Sequence, residues 1–182
     1  MQARYGMVHG RFQPFHYGHL QYALEALTRC HHLIVGITNP DSTLTVPEPT
    51  DPERHLPAAN PFTFFERQRM IRVALAEAGV DLARTSIVPF PIHHPERWCF
   101  YCPAESTQFI RLFSAWGQEK ARRFQEQGWA VEVLDAGAGK QVSGSEVRRR
   151  LRAGQGWENL VPGAVAQVLR EVGAVERLRK GG

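Results

Sequence analysis

Short apolar runs alternate with amphipathic segments along most of the chain. The apolar runs are too short for helices and carry little charge, and they lie at 5–9, 33–37, 86–90, 109–113 and 130–134. Such runs are typical of buried strands. Between them, apolar residues recur at helical spacing, which indicates helices that pack one face on a sheet. The alternation predicts an α/β fold in which helices cover a parallel sheet of about five strands.

Helices are expected at 17–29, 63–79, 116–127, 143–152 and 162–172. Thr63 is a suitable N-cap, and Glu66 three residues later completes a capping-box pattern. Ser143 or Ser145 can cap the fourth helix, and Pro162 can begin the fifth. Because strands and helices alternate, the fold is predicted to be Rossmann-like and doubly wound, with a helical C-terminal extension.

One long loop interrupts this order. Residues 39–61 contain six prolines, so we expect no regular structure there, and a loop of this length is usually functional or mobile. We divide the whole chain into an α/β core over 1–140 and a helical segment over 141–182 that is expected to complete the core's ligand site. Both belong to a single domain, as the length of 182 residues suggests.

Composition narrows the class of protein. A formal charge of +4 suits an anionic ligand but is too weak to indicate nucleic acid by itself. Three cysteines, no apolar leader and no apolar run of membrane-spanning length favour a cytoplasmic protein without a membrane segment. Arg149, Arg150 and Arg152 are expected to form a solvated helix face, since no aromatic residues are interleaved with them to bind RNA.

The string Gly10-Arg11-Phe12-Gln13-Pro14-Phe15-His16-Tyr17-Gly18-His19 carries the main chemical signal. It follows the first strand, at the sheet edge where α/β proteins bind ligands. Gly10 and Gly18 allow a ligand to approach the backbone, and the helix N-terminus attracts phosphate. His16 and His19 are three residues apart, so both imidazoles can point the same way and donate to phosphate oxygens.

This string resembles the signature of the HxGH nucleotidyltransferases, and its longer form GRFQPxHxGH is similar to archaeal-type nicotinamide mononucleotide adenylyltransferases. Two further segments support the resemblance. The segment 142–148 resembles the family motif ISxTxxR, and residues 60–67 resemble the archaeal pattern NPFTxxER. A helix start with serines can hold a polyphosphate, and Arg148 can clamp its oxygens.

The resemblance implies an adenylyltransferase of NAD biosynthesis. AMP would pass from ATP to a phosphorylated acceptor, by default nicotinamide or nicotinate mononucleotide, and pyrophosphate would leave. Catalysis would fall to His16, His19, Arg11 and Arg148. The nucleotide would be framed by Gly10, Phe12, Gly18, Ser143 and Ser145. Mg²⁺ would be held mainly by the ATP phosphates, so no carboxylate cluster is required.

The middle of the chain departs from the archaeal pattern. His93 stands about where the family has an asparagine that reads the pyridine carboxamide, which leaves the acceptor open. Trp98 and Trp116 are candidates for stacking on a substrate ring, or they are packing residues. The alternatives are a nucleotidyltransferase that uses ATP or CTP with another nucleotide or phosphorylated precursor, and a catalytically silent nucleotide sensor. The sequence indicates no particular oligomer, although relatives often assemble.

A zinc site is a separate possibility. His93, His94, Cys99 and Cys102 offer four potential zinc ligands within ten residues. Their spacing matches no standard zinc finger, and free cysteines often pack as small apolar residues. We expect no metal site here.

Overall fold

The sheet has five parallel strands. The structure is a computed structural model that describes residues 2–41, 45, 47, 55–112, 115–134 and 142–180, except for the side chains of residues 115 and 116. The strands are β1 (Ala3–Gly10), β2 (Cys30–Thr38), β3 (Thr85–Phe90), β4 (Thr107–Ile110) and β5 (Val131–Val133). Their order in the sheet is β3-β2-β1-β4-β5, and all neighbours are parallel. The Rossmann-like fold is therefore confirmed.

Six α-helices flank the sheet in the part of the chain that the structure describes. They are α1 (Tyr17–Leu27), α2 (Phe64–Glu77), α3 (Ala115–Glu126), α4 (Gly144–Ala153), α5 (Gly163–Glu171) and α6 (Ala174–Lys180). The expected capping box is present at α2, where Thr63 and Glu66 bond each other's backbone N–H groups. Helix α6 was missed, because it is short and follows α5 directly. No described helix is long and apolar enough to cross a membrane.

The structure differs from the sequence prediction at the fourth strand and in the long loop. The fourth strand was expected at 109–113 but lies at Thr107–Ile110, because pairing with β1 begins at the polar residues Thr107 and Gln108. The long loop was expected to lack regular structure, yet Pro57–Ala59 form a 3₁₀ turn. Proline at its first position presets the backbone angle that such a turn needs.

The two faces of the sheet carry different cores. One face is covered by α1, α2, α4, α5 and α6, whose buried aliphatic residues form one cluster with β1 and β2. The opposite face is covered by α3 and by the 3₁₀ turn Pro95–Phe100, and its core is rich in aromatic rings, including Phe90, Trp98 and Phe124. Helices α4 to α6 share the first core with α1 and α2, so the C-terminal segment packs on the rest of the α/β fold.

Candidate active site

The loop after β1 brings two histidines together at the start of α1. His16 is the N-cap of α1 and is almost fully buried. Its ring stacks on that of His19, with 3.6 Å between centroids and 20° between planes. The three-residue spacing predicts this shared direction. Gly18 lies against the same ring, since a Cβ there would come within 3.2 Å of the His16 imidazole.

Phe12 packs against the His19 ring of this pair. Its ring meets His19 edge-on at 4.9 Å and lies close to Phe15. Phe12 has a left-handed backbone, with φ of 53°. A Cβ on Gly10 would come within 3.1 Å of the Phe12 ring, so a larger residue there would press on this ring. Phe12 therefore shapes the loop through its buried ring.

The start of α4 is joined to this loop through Arg148. Its Nη1 donates to the backbone oxygen of Gln13 at 2.7 Å, and its Nη2 donates to Ser145 Oγ at 3.2 Å. Ser143 caps α4 by accepting from the Glu146 N–H. The two segments that resemble family motifs are 135 residues apart in sequence, and the Arg148–Gln13 contact joins them.

Gln13 also joins the loop to the third motif. Its amide Nε2 donates to the Phe62 oxygen, and its Oε1 accepts from the Phe62 N–H, both at 2.9 Å. This paired contact is buried, which makes it costly to break. Sequence reasoning gave Gln13 no role, although the residue lies inside the quoted string.

Arg67 of α2 is buried between the loops that follow β1 and β2, and its side chain binds both. It is 1% exposed and its five N–H donors meet five backbone oxygens. These oxygens belong to Thr63, Arg11, Thr38, Asn39 and Pro40. A guanidinium has five donors, so all of them are used. Arg67 was part of a quoted motif, but its partners could not be read from the sequence.

The electrostatics of Arg67 follow from its burial. Loss of hydration and the nearby charge of Arg11 lower the pKa of Arg67 to about 10. The group still carries its charge at neutral pH. Two positive charges therefore lie close together beside the loop after β1, which is favourable for a polyanionic ligand.

The remaining predicted residues lie on the α3 face of the sheet. Trp98 is fully buried, donates its indole N–H to the Pro91 oxygen and packs on Phe124, so its ring faces protein. Stacking of Trp98 on a substrate stays a prediction that would require these neighbours to move. His93 lines a pocket with Arg123 of α3. Trp116 lies at the start of α3, and its side chain is outside the described residues.

The cysteine and histidine residues at 93–102 were weighed as possible zinc ligands, and their surroundings differ. Over the described part of the chain, no three His, Cys, Asp or Glu side chains are grouped so that they could hold a metal ion. Cys99 is exposed, whereas Cys102 is buried and packs in the aromatic core. Burial, with a smaller contribution from Cys99, raises the pKa of Cys102 to about 12. Cys102 therefore behaves as an apolar core residue.

Comparison with known families matches the same part of the chain that builds this site. Residues 7–150 match the model of the family described as cytidylyltransferase-like. The chain belongs to the cytidylyltransferase-like family. Its family and relatives are cytidylyl- and adenylyltransferases, so the chain is a nucleotidyltransferase.

Two groups of relatives are similar over nearly the whole chain. The phosphonoformate cytidylyltransferase of Streptomyces viridochromogenes is 51% identical over 96% of this chain and 95% of its own. The nicotinamide-nucleotide adenylyltransferase of Pyrococcus horikoshii is 34% identical over 96% of this chain and 87% of its own. The nicotinamide-nucleotide adenylyltransferase of Saccharolobus solfataricus is 33% identical over 96% of this chain and 95% of its own.

Solved structures agree on the fold. The bifunctional NMN adenylyltransferase/ADP ribose pyrophosphatase from Francisella tularensis has a TM-score of 0.66 at 21% identity, covering 88% of this chain but only 45% of that one. The Plasmodium falciparum nicotinic acid mononucleotide adenylyltransferase has a TM-score of 0.54 at 10% identity, and the match covers 94% of this chain and 96% of that one. At these identities the likeness concerns the fold alone.

Proposed function

We propose that this cytidylyltransferase-like protein transfers CMP from CTP to phosphonoformate, a compact acid with one phosphonate and one carboxylate group. The observation that carries the proposal is the identity of 51% to the Streptomyces phosphonoformate cytidylyltransferase, compared with 34% to the Pyrococcus adenylyltransferase. The donor and the acceptor both differ from those that the motifs suggested by default. They fall within the first alternative, a nucleotidyltransferase for another acceptor.

The reaction is an in-line displacement at the α-phosphorus. An oxygen of the acceptor phosphonate forms a bond to this phosphorus, the bond to the β-phosphate bridging oxygen breaks, and pyrophosphate leaves with the electron pair. His16 and His19 donate hydrogen bonds to the phosphate oxygens as charge develops. Arg11 and Arg148 bind the leaving phosphates. The backbone N–H groups at the start of α4 donate further hydrogen bonds to the same phosphates.

Magnesium would enter with the nucleotide. The described residues offer no cluster of carboxylates for it, so the triphosphate itself would supply most of the ligands. Mg²⁺ would then neutralise part of the phosphate charge, and the chain's own residues position the two substrates.

Packing on the α3 face also supports a compact acceptor. Phe90, Trp98 and Phe124 fill the space beside the end of β1. A flat pyridine ring bound at this part of the α3 face would compete for space with these buried rings. A small acid needs less of that space.

A second candidate is transfer of AMP to a pyridine mononucleotide. The long form of the first motif and the relatives at 31–34% identity favour it. One experiment separates the two: pyrophosphate release with CTP or ATP, each with phosphonoformate, nicotinamide mononucleotide or nicotinate mononucleotide. The proposal expects the fastest release with CTP and phosphonoformate. Faster release with ATP and a pyridine mononucleotide would replace it with the second candidate, and ATP binding without any turnover would favour the sensor alternative.

A further inference from the structure

Two polar side chains at the end of β2 are buried without an evident partner. Thr38 is 1% exposed and Asn39 is 8% exposed. Thr38 Oγ1 and Asn39 Nδ2 make no hydrogen bond to any residue in the described part of the chain. Buried polar groups are almost always paired, so such atoms indicate a ligand or ordered water.

Their position in the sheet favours a ligand. Ile37 is in register with Gly10, so Thr38 is level with the start of the loop that holds the histidine pair. This is the carboxyl edge of the sheet, where α/β folds bind substrates. Thr38 and Asn39 therefore lie beside the reacting groups, on the next strand.

Strand alternation places Thr38 on the same face of the sheet as His9. A Cβ on Gly36 would run into the side chains of Met7 and Phe90, so Gly36 faces α3, and Thr38 two residues later shares that face. His9 is in register with Gly36 and touches Phe90 and Phe124 edge-on. The histidine pair belongs to α1, which covers the opposite face.

At the end of β2, the hydrogen bonds from Arg67 occupy the backbone acceptors, so the polar side-chain groups that are left there are mainly donors. Arg67 binds the backbone oxygens of Thr38, Asn39 and Pro40, so these acceptors are already used. It also holds Asn39, whose φ is 50°. The Thr38 hydroxyl and the Asn39 side-chain amide that remain can both donate hydrogen bonds, which suits an anion.

We propose that Thr38 and Asn39 form the acceptor subsite and bind the anionic end of the acceptor that does not attack. The acceptor's other anionic group then faces the loop after β1, where the nucleotide lies. This inference rests on the proposed function, and it explains how the chain selects a compact dianionic acid. Specificity would come from the end of β2, on the face opposite α1.

Two substitutions test the subsite. Thr38→Val removes the hydroxyl at nearly constant volume, and Asn39→Asp replaces the amide donor with a negative oxygen. The matched controls are Thr85→Val, at the opposite end of β3, and Asn159→Asp, at an exposed position in the C-terminal segment. Calorimetry would measure the Kd of phosphonoformate and of CTP, and pyrophosphate release would give both KM values.

Each test variant is expected to weaken phosphonoformate binding by roughly tenfold or more, as for the loss of a buried hydrogen bond to a charged group. CTP binding should stay within about twofold, and the controls should match the wild type. If Asn39→Asp does not fold, Thr38→Val decides the test.

The outcomes separate the subsite from the reaction. Normal phosphonoformate binding in Thr38→Val, or a loss confined to CTP, overturns the subsite and leaves the reaction standing. Absence of phosphonoformate binding to the wild type overturns the subsite as stated. If the wild type binds phosphonoformate but turns over only a pyridine mononucleotide, the proposed function fails, and the variants' phosphonoformate Kd values still decide the subsite.

Discussion

At the residue scale, each candidate catalytic group depends on a neighbour for its position. His19 lies between the His16 ring and the Phe12 ring, which limits its rotamers. Arg148 is held by the Gln13 oxygen. The sequence could predict which side chains carry charge or imidazole, because these properties belong to the residue type. It could not predict the supporting contacts, because they join segments distant in sequence.

Replacing His19 with alanine is expected to lower kcat by roughly a hundredfold or more, as for loss of a donor that acts in the transition state. The fold should persist, because His19 is only half-buried and Phe12 and Phe15 still pack together. Pyrophosphate release and thermal unfolding measure the two effects. His31→Ala, an exposed histidine on β2, is the control. A normal kcat in His19→Ala would exclude the assigned role.

Replacing Arg67 with lysine is expected to destabilise the protein by about 2–4 kcal/mol, because three donors cannot satisfy five buried oxygens. The loops after β1 and β2 should also lose their fixed spacing, so kcat should fall as well. Urea unfolding and initial rates measure both. Arg72→Lys, exposed on the same helix, is the control. Equal stability in the two variants would show that the five contacts contribute little.

At the scale of elements, helix α4 must approach the first loop closely. A Cβ on Gly144, the first residue of α4, would lie 3.0 Å from the Gln13 oxygen and 3.2 Å from Arg148 Nη1. Those neighbours are the atoms that link the two motifs, so the space at Gly144 is part of the site's geometry. The cap at Ser143 was predictable from local sequence, but this approach was not.

Gly144→Ala is expected to lower kcat by roughly tenfold to a hundredfold, because α4 and the loop must separate by part of an ångström. Gly163→Ala is a closely matched control. Gly163 also begins a helix, but the atom that a Cβ would meet is the flexible carboxylate end of Glu77. Initial rates with saturating substrates compare the two. Equal rates would mean that the spacing at α4 is not critical.

At the scale of the whole molecule, an ion pair ties the last helix to α2. Arg177 of α6 donates two hydrogen bonds of 2.8 Å to Glu66 and also bonds the Pro61 and Val172 oxygens. Burial raises the pKa of Glu66, but the Arg177 hydrogen bonds, the Thr63 backbone bond and the Arg177 charge outweigh it, so the net pKa is lowered. The C-terminal segment is thus attached to the core through Glu66 of the α2 capping box.

This depressed pKa predicts a pH-dependent contribution to stability. A carboxyl whose pKa is lower in the folded state stabilises the fold above its unfolded pKa, about 4.3 for Glu. The contribution is lost as pH falls through the folded value. Wild type should therefore be more stable than Glu66→Gln at pH 7, and the difference should shrink at about pH 3.5 in urea unfolding. A difference that is constant with pH would exclude ionisation of Glu66 as its source.

The sequence by itself determined the alternation of strands and helices, the main helix caps and the position of the loop after β1, because periodicity, capping and glycine placement act over a few residues. Only the tertiary structure decided how the three motifs meet through Gln13, Arg67 and Arg148, and that Trp98 is buried. Those contacts join segments far apart in the chain, so local pattern cannot encode them. The buried Thr38 and Asn39 likewise became visible only when the sheet was assembled, since burial is a property of the whole packing.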